Sequence, residues 1–101
     1  MRIDVHAHYF PAEYIDLLIK LGRDDLKFAG RQSSDFTSRL AELDEAKIDT
    51  QILSAVGLDT EVHDREGATA AARFINDVYR DVSDKYNKRF RAFGWVPLPY
   101  V

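Results

Sequence analysis

The chain is predicted to be an α/β protein built on a parallel sheet. Three observations predict this. Strand-like and helix-like stretches follow one another along the 101 residues in the order β, α, α, β, α, β. The stretches between strands are long enough to hold crossover helices, which parallel strands require. The first stretch, "RIDVHAH", alternates as a strand does, whereas apolar residues in the linkers recur at helical spacing.

The first strand is read over residues 2–8, "RIDVHAH". By alternation Ile3, Val5 and Ala7 point one way, and Asp4, His6 and His8 the other. Pro11 is expected at the first helical position of "PAEYIDLLIKLG", where a missing N–H costs nothing. Tyr14, Leu17, Leu18 and Leu21 form its apolar stripe and Gly22 its stop. Residues 23–34 are polar and irregular. Asp35 is expected to cap a second helix, "FTSRLAELDEAK", whose Phe36, Leu40 and Leu43 share a face.

The second strand is "IDTQILSAV", about 48–56, rich in β-branched and aliphatic residues. After the loop "GLDTEVHDREG", the strongest helix runs from about Asp64 to Tyr86. Its apolar positions Ala68, Ala71, Ala72, Ile75, Tyr79, Val82 and Tyr86 recur at helical spacing. "NKRF" closes it, and "FRAFGWVPL", about 90–98, is the third strand, ended by Pro97 and Pro99. A 1-2-3 strand order is expected, as sequential parallel units usually neighbour one another.

Composition narrows the function. Apolar residues make up 46% and charged residues 31% of the chain, which is the balance of a globular domain rather than a disordered one. A net charge of −3 without a basic run argues against nucleic acid. No apolar run approaches the roughly 20 residues needed to span a bilayer, so no membrane is expected. The absence of cysteine rules out disulfides and thiolate metal sites and suits the cytoplasm.

The chemistry concentrates in "IDVHAHYFP". Histidines at i and i+2 of a strand project from one face, roughly 7 Å apart along the backbone. Their imidazoles can converge on one zinc, manganese or iron ion. The alternative is an edge strand with a wet polar side. The pair stands at the C-terminal end of the first strand, where α/β sheets and barrels build their sites. Asp4 is either an orienting partner of a ligand histidine or a half-buried polar residue. His63, with Asp59, Glu61 and Asp64 nearby in sequence, either supplements the site or is a solvated loop residue. Trp95 and the tyrosines of the helical stripes read as core.

"IDVHAHYFP", "RLAELDEAKIDTQILSAV" and "INDVYRDVSDKYNKRFRAFGWVPL" together resemble the amidohydrolase-related family, in the branch of aminocarboxymuconate-semialdehyde decarboxylase. The resemblance implies the first three β/α units of a (β/α)₈ TIM barrel, with a divalent metal in its C-terminal mouth. Zinc is the first expectation; manganese and iron are the alternatives. His6 and His8 take the places of the strand-one metal ligands. The family's arginine that binds the substrate carboxylate falls at or near Arg31, whose alternative is a solvated loop charge. Such an enzyme is a hydrolase or a decarboxylase acting on a small carboxylate or amide.

A complete barrel takes about 250 residues, so residues 1–101 are expected to be a single N-terminal fragment. The family's later ligands and its acid–base residues are not in this stretch, and the chain alone is expected to be inactive. A competing reading is a non-catalytic module whose open sheet needs another copy or a complementary chain. A third is a small metal-carrying domain that uses His6, His8 and His63.

Overall fold

The computed structural model describes residues 1–58 and 62–100. Asp59 and Glu61, which the sequence places near His63, lie outside the described residues. Strand β1 (Ile3–His8) leads to helix α1 (Ala12–Lys20), a 3₁₀ turn (Asp24–Leu26) and helix α2 (Thr37–Glu45). Strand β2 (Thr50–Ser54), helix α3 (Arg65–Lys85) and strand β3 (Phe90–Ala92) follow. The three strands form one parallel sheet in the order β1-β2-β3, as the sequence predicts. Among the described residues no helix is long and apolar enough to cross a membrane.

One face of the sheet is covered by helices. Gln51 and Leu53 of β2 lie in register with Phe90 and Ala92 of β3 and with Asp4 and Ala7 of β1. Leu53 and Phe90 are fully buried there. Against this face pack Tyr14, Ile15 and Leu18 of α1 and Ala68, Ala71, Ile75 and Tyr79 of α3. The opposite face carries Ile3, Thr50, Ile52 and Arg91 and is open, with Ile3 49% exposed.

The helices follow local chemistry. The carboxylate of Asp64, the N-cap of α3, accepts the Gly67 N–H at 2.6 Å, which satisfies one of the amides a helix start leaves free. Helix α3 ends where Asn87 (φ 48°) and Lys88 (φ 65°) turn into the left-handed region. Lys47 (φ 59°) does the same after α2. These are positions where glycine is usual.

Several expected boundaries move. Strand β3 stops at Ala92 instead of about residue 98, because β2 ends at Ser54 and offers one further bond, from the Phe93 N–H to the Leu53 carbonyl. Beyond it the Asn76 side chain takes over the role of a strand, accepting from the Trp95 N–H and donating to the Trp95 carbonyl. Strand β2 is shorter than 48–56 because the Ile48 N–H turns back to the Leu43 carbonyl. Pro11 is the N-cap of α1, not its first helical residue. Asp35 stands one place before the N-cap Phe36, yet its carboxylate still accepts from the Thr37 N–H and hydroxyl. On α1, Ile15 is buried where Leu17 was expected, and on α3 Val82 is only half-buried.

Candidate metal-binding end of the first strand

Strict alternation would put Asp4, His6 and His8 on one face. The structure does not. The register of β1 against β2 runs Ile3↔Thr50 and Asp4↔Gln51, then Ala7↔Leu53 and His8↔Ser54. Val5 and His6 together oppose the single residue Ile52, which is a β-bulge. Asp4 and Ala7, three residues apart, therefore share the helix-covered face, while His8 faces the open side with Ser54.

The two imidazoles meet on that open side. Their ring centroids are 5.2 Å apart and the rings stand edge to face. The outer face of the His8 ring stacks on Phe10, with centroids 5.7 Å apart. Phe10 is itself pinned by Gln32, whose side chain accepts from the Phe10 N–H at 2.9 Å and whose N–H donates to the Phe10 carbonyl. His8 Nδ1 lies 3.1 Å from Ser54 Oγ. When Nδ1 carries the proton and donates to Ser54, Nε2 keeps a lone pair free for an ion.

Asp4 contributes from behind the sheet. Its Oδ1 accepts the His6 N–H at 3.0 Å and its Oδ2 accepts from Gln51 Nε2 at 2.9 Å. The Gln51 amide, then the His6 amide, hold the Asp4 carboxyl below the usual aspartate range. Gln51 Oε1 in turn accepts from Arg39 Nη1 at 3.0 Å, and Arg39 Nη2 donates to the His8 carbonyl at 3.1 Å. The Arg39 guanidinium lies over the rings of Phe36 and Tyr9. Burial lowers its pKa, against smaller opposing effects of Tyr9 and Glu42.

The other candidates are not bonded to the histidine pair. Arg31 is next to Gln32, near the end of β1, but its guanidinium is bound to Asp16 of α1 at 2.8 Å, on an exposed surface. His63 packs over Gly22 at the end of α1, and its carbonyl accepts from the Tyr100 hydroxyl. Among the described residues no three His, Asp or Glu side chains are grouped to hold an ion, so His63 does not join the pair. Two imidazoles this close, with the His8 ring held by Ser54 and Phe10, are of the chemistry that can offer two nitrogen ligands to a divalent ion. Catalytic zinc sites take about three protein ligands, so two imidazoles alone would fill only part of one. Trp95 is partly buried, and its Nε1 has no partner among the described residues.

Sequence reasoning did not single out Ser54, Gln51, Arg39, Phe10 or Gln32. Ser54 and Gln51 carried a faint signal as polar residues flanking the aliphatic pair Ile52 and Leu53.

No family model matches the chain, and no curated protein matches it. Solved structures do. A 5-carboxyvanillate decarboxylase from Novosphingobium aromaticivorans, crystallised with manganese and 4-hydroxy-3-methoxy-5-nitrobenzoic acid, is 26% identical with a TM-score of 0.71. It aligns over 95% of this chain and 34% of its own. A 2,6-dihydroxybenzoate decarboxylase from Rhizobium is 25% identical with a TM-score of 0.70, over 96% of this chain and 30% of that one. A 4-oxalomesaconate hydratase from Rhodopseudomonas palustris, 19% identical with a TM-score of 0.68, aligns over all of this chain and 35% of its own. The chain thus spans about a third of the length of the structures it matches. These neighbours are TIM-barrel proteins of the amidohydrolase superfamily.

Proposed function

We propose that this chain, whose structural neighbours are amidohydrolase-superfamily proteins, is the metal-binding N-terminal part of a divalent-metal-dependent decarboxylase. The substrate class is a small aromatic carboxylate. The observation that carries the reading is the meeting of the His6 and His8 rings, 5.2 Å apart, on the open face at the C-terminal end of β1. The manganese and benzoate-type ligand in the matched decarboxylase support the cofactor and substrate class.

In this reading His6 and His8 hold the cation through ring nitrogens. Ser54 and Phe10 keep the His8 ring from turning. A bound divalent cation supplies Lewis-acid polarisation of a substrate oxygen. Arg31 anchors the substrate carboxylate, as a planar guanidinium does well, after exchanging its exposed pairing with Asp16. Such exposed pairs contribute only about 0–1 kcal/mol, so the exchange is easy. Manganese and zinc both accept imidazole.

Two imidazoles do not complete the sphere, so turnover requires ligands beyond β3. The 101 residues alone bind metal weakly and do not turn over substrate. A second observation bears on partners. Ile3, Val5 and Phe93 are each about half or more exposed, and the outer edges of β1 and β3 are unpaired among the described strands. We assign this surface to contact with further barrel strands, supplied by a complementary segment or another copy.

Calorimetric titration with Zn²⁺ and Mn²⁺ tests the metal reading. One weak site that disappears in both His6→Ala and His8→Ala is expected. Binding unchanged in the double variant sinks it. Light scattering tests the surface: a strictly monomeric chain at high concentration would contradict the partner assignment. Decarboxylation of 2,6-dihydroxybenzoate by the isolated chain would contradict the need for further ligands.

A further inference from the structure

We infer that Gln51 and Arg39 are positioning residues for the histidine pair, acting from the far face of the sheet by fixing, through Asp4, the bulge in β1. The inference rests on the ligand reading of His6 and His8 and extends it to residues that touch neither ring.

The connection is continuous. Arg39 Nη2 binds the His8 carbonyl (3.1 Å) and Nη1 binds Gln51 Oε1 (3.0 Å). Gln51 Nε2 binds Asp4 Oδ2 (2.9 Å), and Asp4 Oδ1 takes the His6 N–H (3.0 Å). The relay therefore grips the backbone of both histidines, one at its amide and the other at its carbonyl. The two residues that oppose the single Ile52, Val5 and His6, lie between the Asp4 side chain and the His8 carbonyl, the two points of β1 that the relay holds. A bulge re-aims a side chain. Here it lets Asp4 turn under the sheet while the two rings face the open side.

The polarity of the relay is fixed by its ends. Arginine can only donate, and an ionised aspartate can only accept. Gln51, with a donor end and an acceptor end, joins them here, and between these two ends its amide fits in one orientation. Gln51 is also buried, where an unmatched amide is costly. A simple ladder would satisfy β1 without any of these side chains, but it would also restore strict alternation and put Asp4 on the same side as the histidines.

Asp4→Asn is the deciding variant, because it keeps size and removes only the all-acceptor end. Whichever way the new amide turns, one of its two partners meets a donor. Gln51→Met breaks the centre of the relay, and Arg39→Lys is the conservative replacement to set beside Arg39→Met. Two measurements are made on each. The first, without metal, is the through-space NMR contact between the His6 and His8 ring protons. The second is Zn²⁺ affinity. Amide signals across β1 and β2 and the thermal midpoint report the fold.

The expected result is loss of the ring contact and a fall in Zn²⁺ affinity of about 10–100-fold, the usual scale for groups that orient a ligand. This holds in Asp4→Asn, Gln51→Met and Arg39→Met, with β1–β2 amide pairing retained and partial rescue in Arg39→Lys. If Asp4→Asn lowers the midpoint but leaves ring contact and affinity unchanged, the relay only supports packing and the inference is overturned. If the unaltered chain binds no Zn²⁺, the ligand reading fails instead, and the relay is judged on the ring contact alone.

Discussion

Ile75→Ala is the sharpest test of how the sheet is covered. Ile75 is fully buried (0% exposed) in the middle of α3, with Ala71 and Tyr79 on the same face. The change removes three carbons. At about 0.8 kcal/mol per buried methylene, the transfer loss is roughly 2.4 kcal/mol. The cavity left behind adds to this, and its size depends on how far the neighbours can collapse. Ala68, Ala71 and Ala72 line the same stretch and have no side chains to swing into the gap. The cost should therefore sit above the bare transfer figure, at about 3–4 kcal/mol within the usual 2–5 range. A chain of this length typically holds about 5–15 kcal/mol in total, so a large share of stability is at stake. Urea unfolding, followed by far-UV dichroism and by the single tryptophan, Trp95, measures it, with an unchanged slope expected. Val5→Ala, at a position 64% exposed, is the control and should stay within about 0.5 kcal/mol. A loss below about 0.5 kcal/mol for Ile75→Ala would refute the assigned packing face.

Other outcomes follow from particular contacts. Tyr79→Phe removes the hydroxyl that donates to the buried Tyr9 carbonyl at 2.8 Å, and stranding that acceptor should cost about 1–3 kcal/mol in chemical unfolding. Lys88→Gly relieves a left-handed residue at φ 65° and should raise the thermal midpoint, by roughly 4–8 °C for each 1 kcal/mol gained; an unchanged or lower midpoint would count against strain there. The Asp35 carboxyl is held below its usual range by the hydroxyl and amide of Thr37. A depressed folded pKa means that its contribution is present above the ordinary aspartate value, about 3.9, and is lost as pH falls through the lower folded value. Asp35→Ala should flatten that part of the acid-unfolding curve, and an identical curve would show that Thr37 gives the carboxylate no net advantage.

Much of the architecture can be read directly from the residues. Asp64 followed by the spaced Ala68, Ala71, Ile75 and Tyr79 marks α3 to within a residue or so, because both its cap and its buried face are local features. The parallel direction follows from crossover length, and the 1-2-3 order from the tendency of sequential parallel units to lie side by side. The failures are those in which a distant partner decides. Nothing within "IDVHAH" says that two residues will oppose one, since a bulge is a relation between strands. Alternation therefore puts Asp4 on the wrong face. The third strand is shorter than its residues suggest because its length depends on where β2 ends. Arg39 reads as an ordinary polar position on an amphipathic helix, and only the fold reveals that it reaches β1. The histidine pair was conspicuous because two ring nitrogens at alternate positions are a chemical signal as well as a structural one.

The strand order also has a kinetic consequence. Each strand pairs only with its neighbour in sequence, so the sheet can grow by one crossover at a time. Bringing β1 to β2 closes a loop of 47 residues, as in the Arg2–Asp49 contact, and bringing β3 to β2 closes one of 38, as in Thr50–Lys88. The entropy of the two closures differs by only about 0.2 kcal/mol, so loop length does not choose between them. The intervening helix does. The β2–β3 crossover contains the 21-residue α3, whereas the first crossover divides its helix into two pieces of nine residues. Helix formation is cooperative and favours length. The second half of the chain should therefore nucleate the fold, with β1 and its histidines docking last. Substitutions in α3 should slow folding, and substitutions in α1 should mainly speed unfolding; the reverse pattern in stopped-flow kinetics would place the nucleus at the histidine strand.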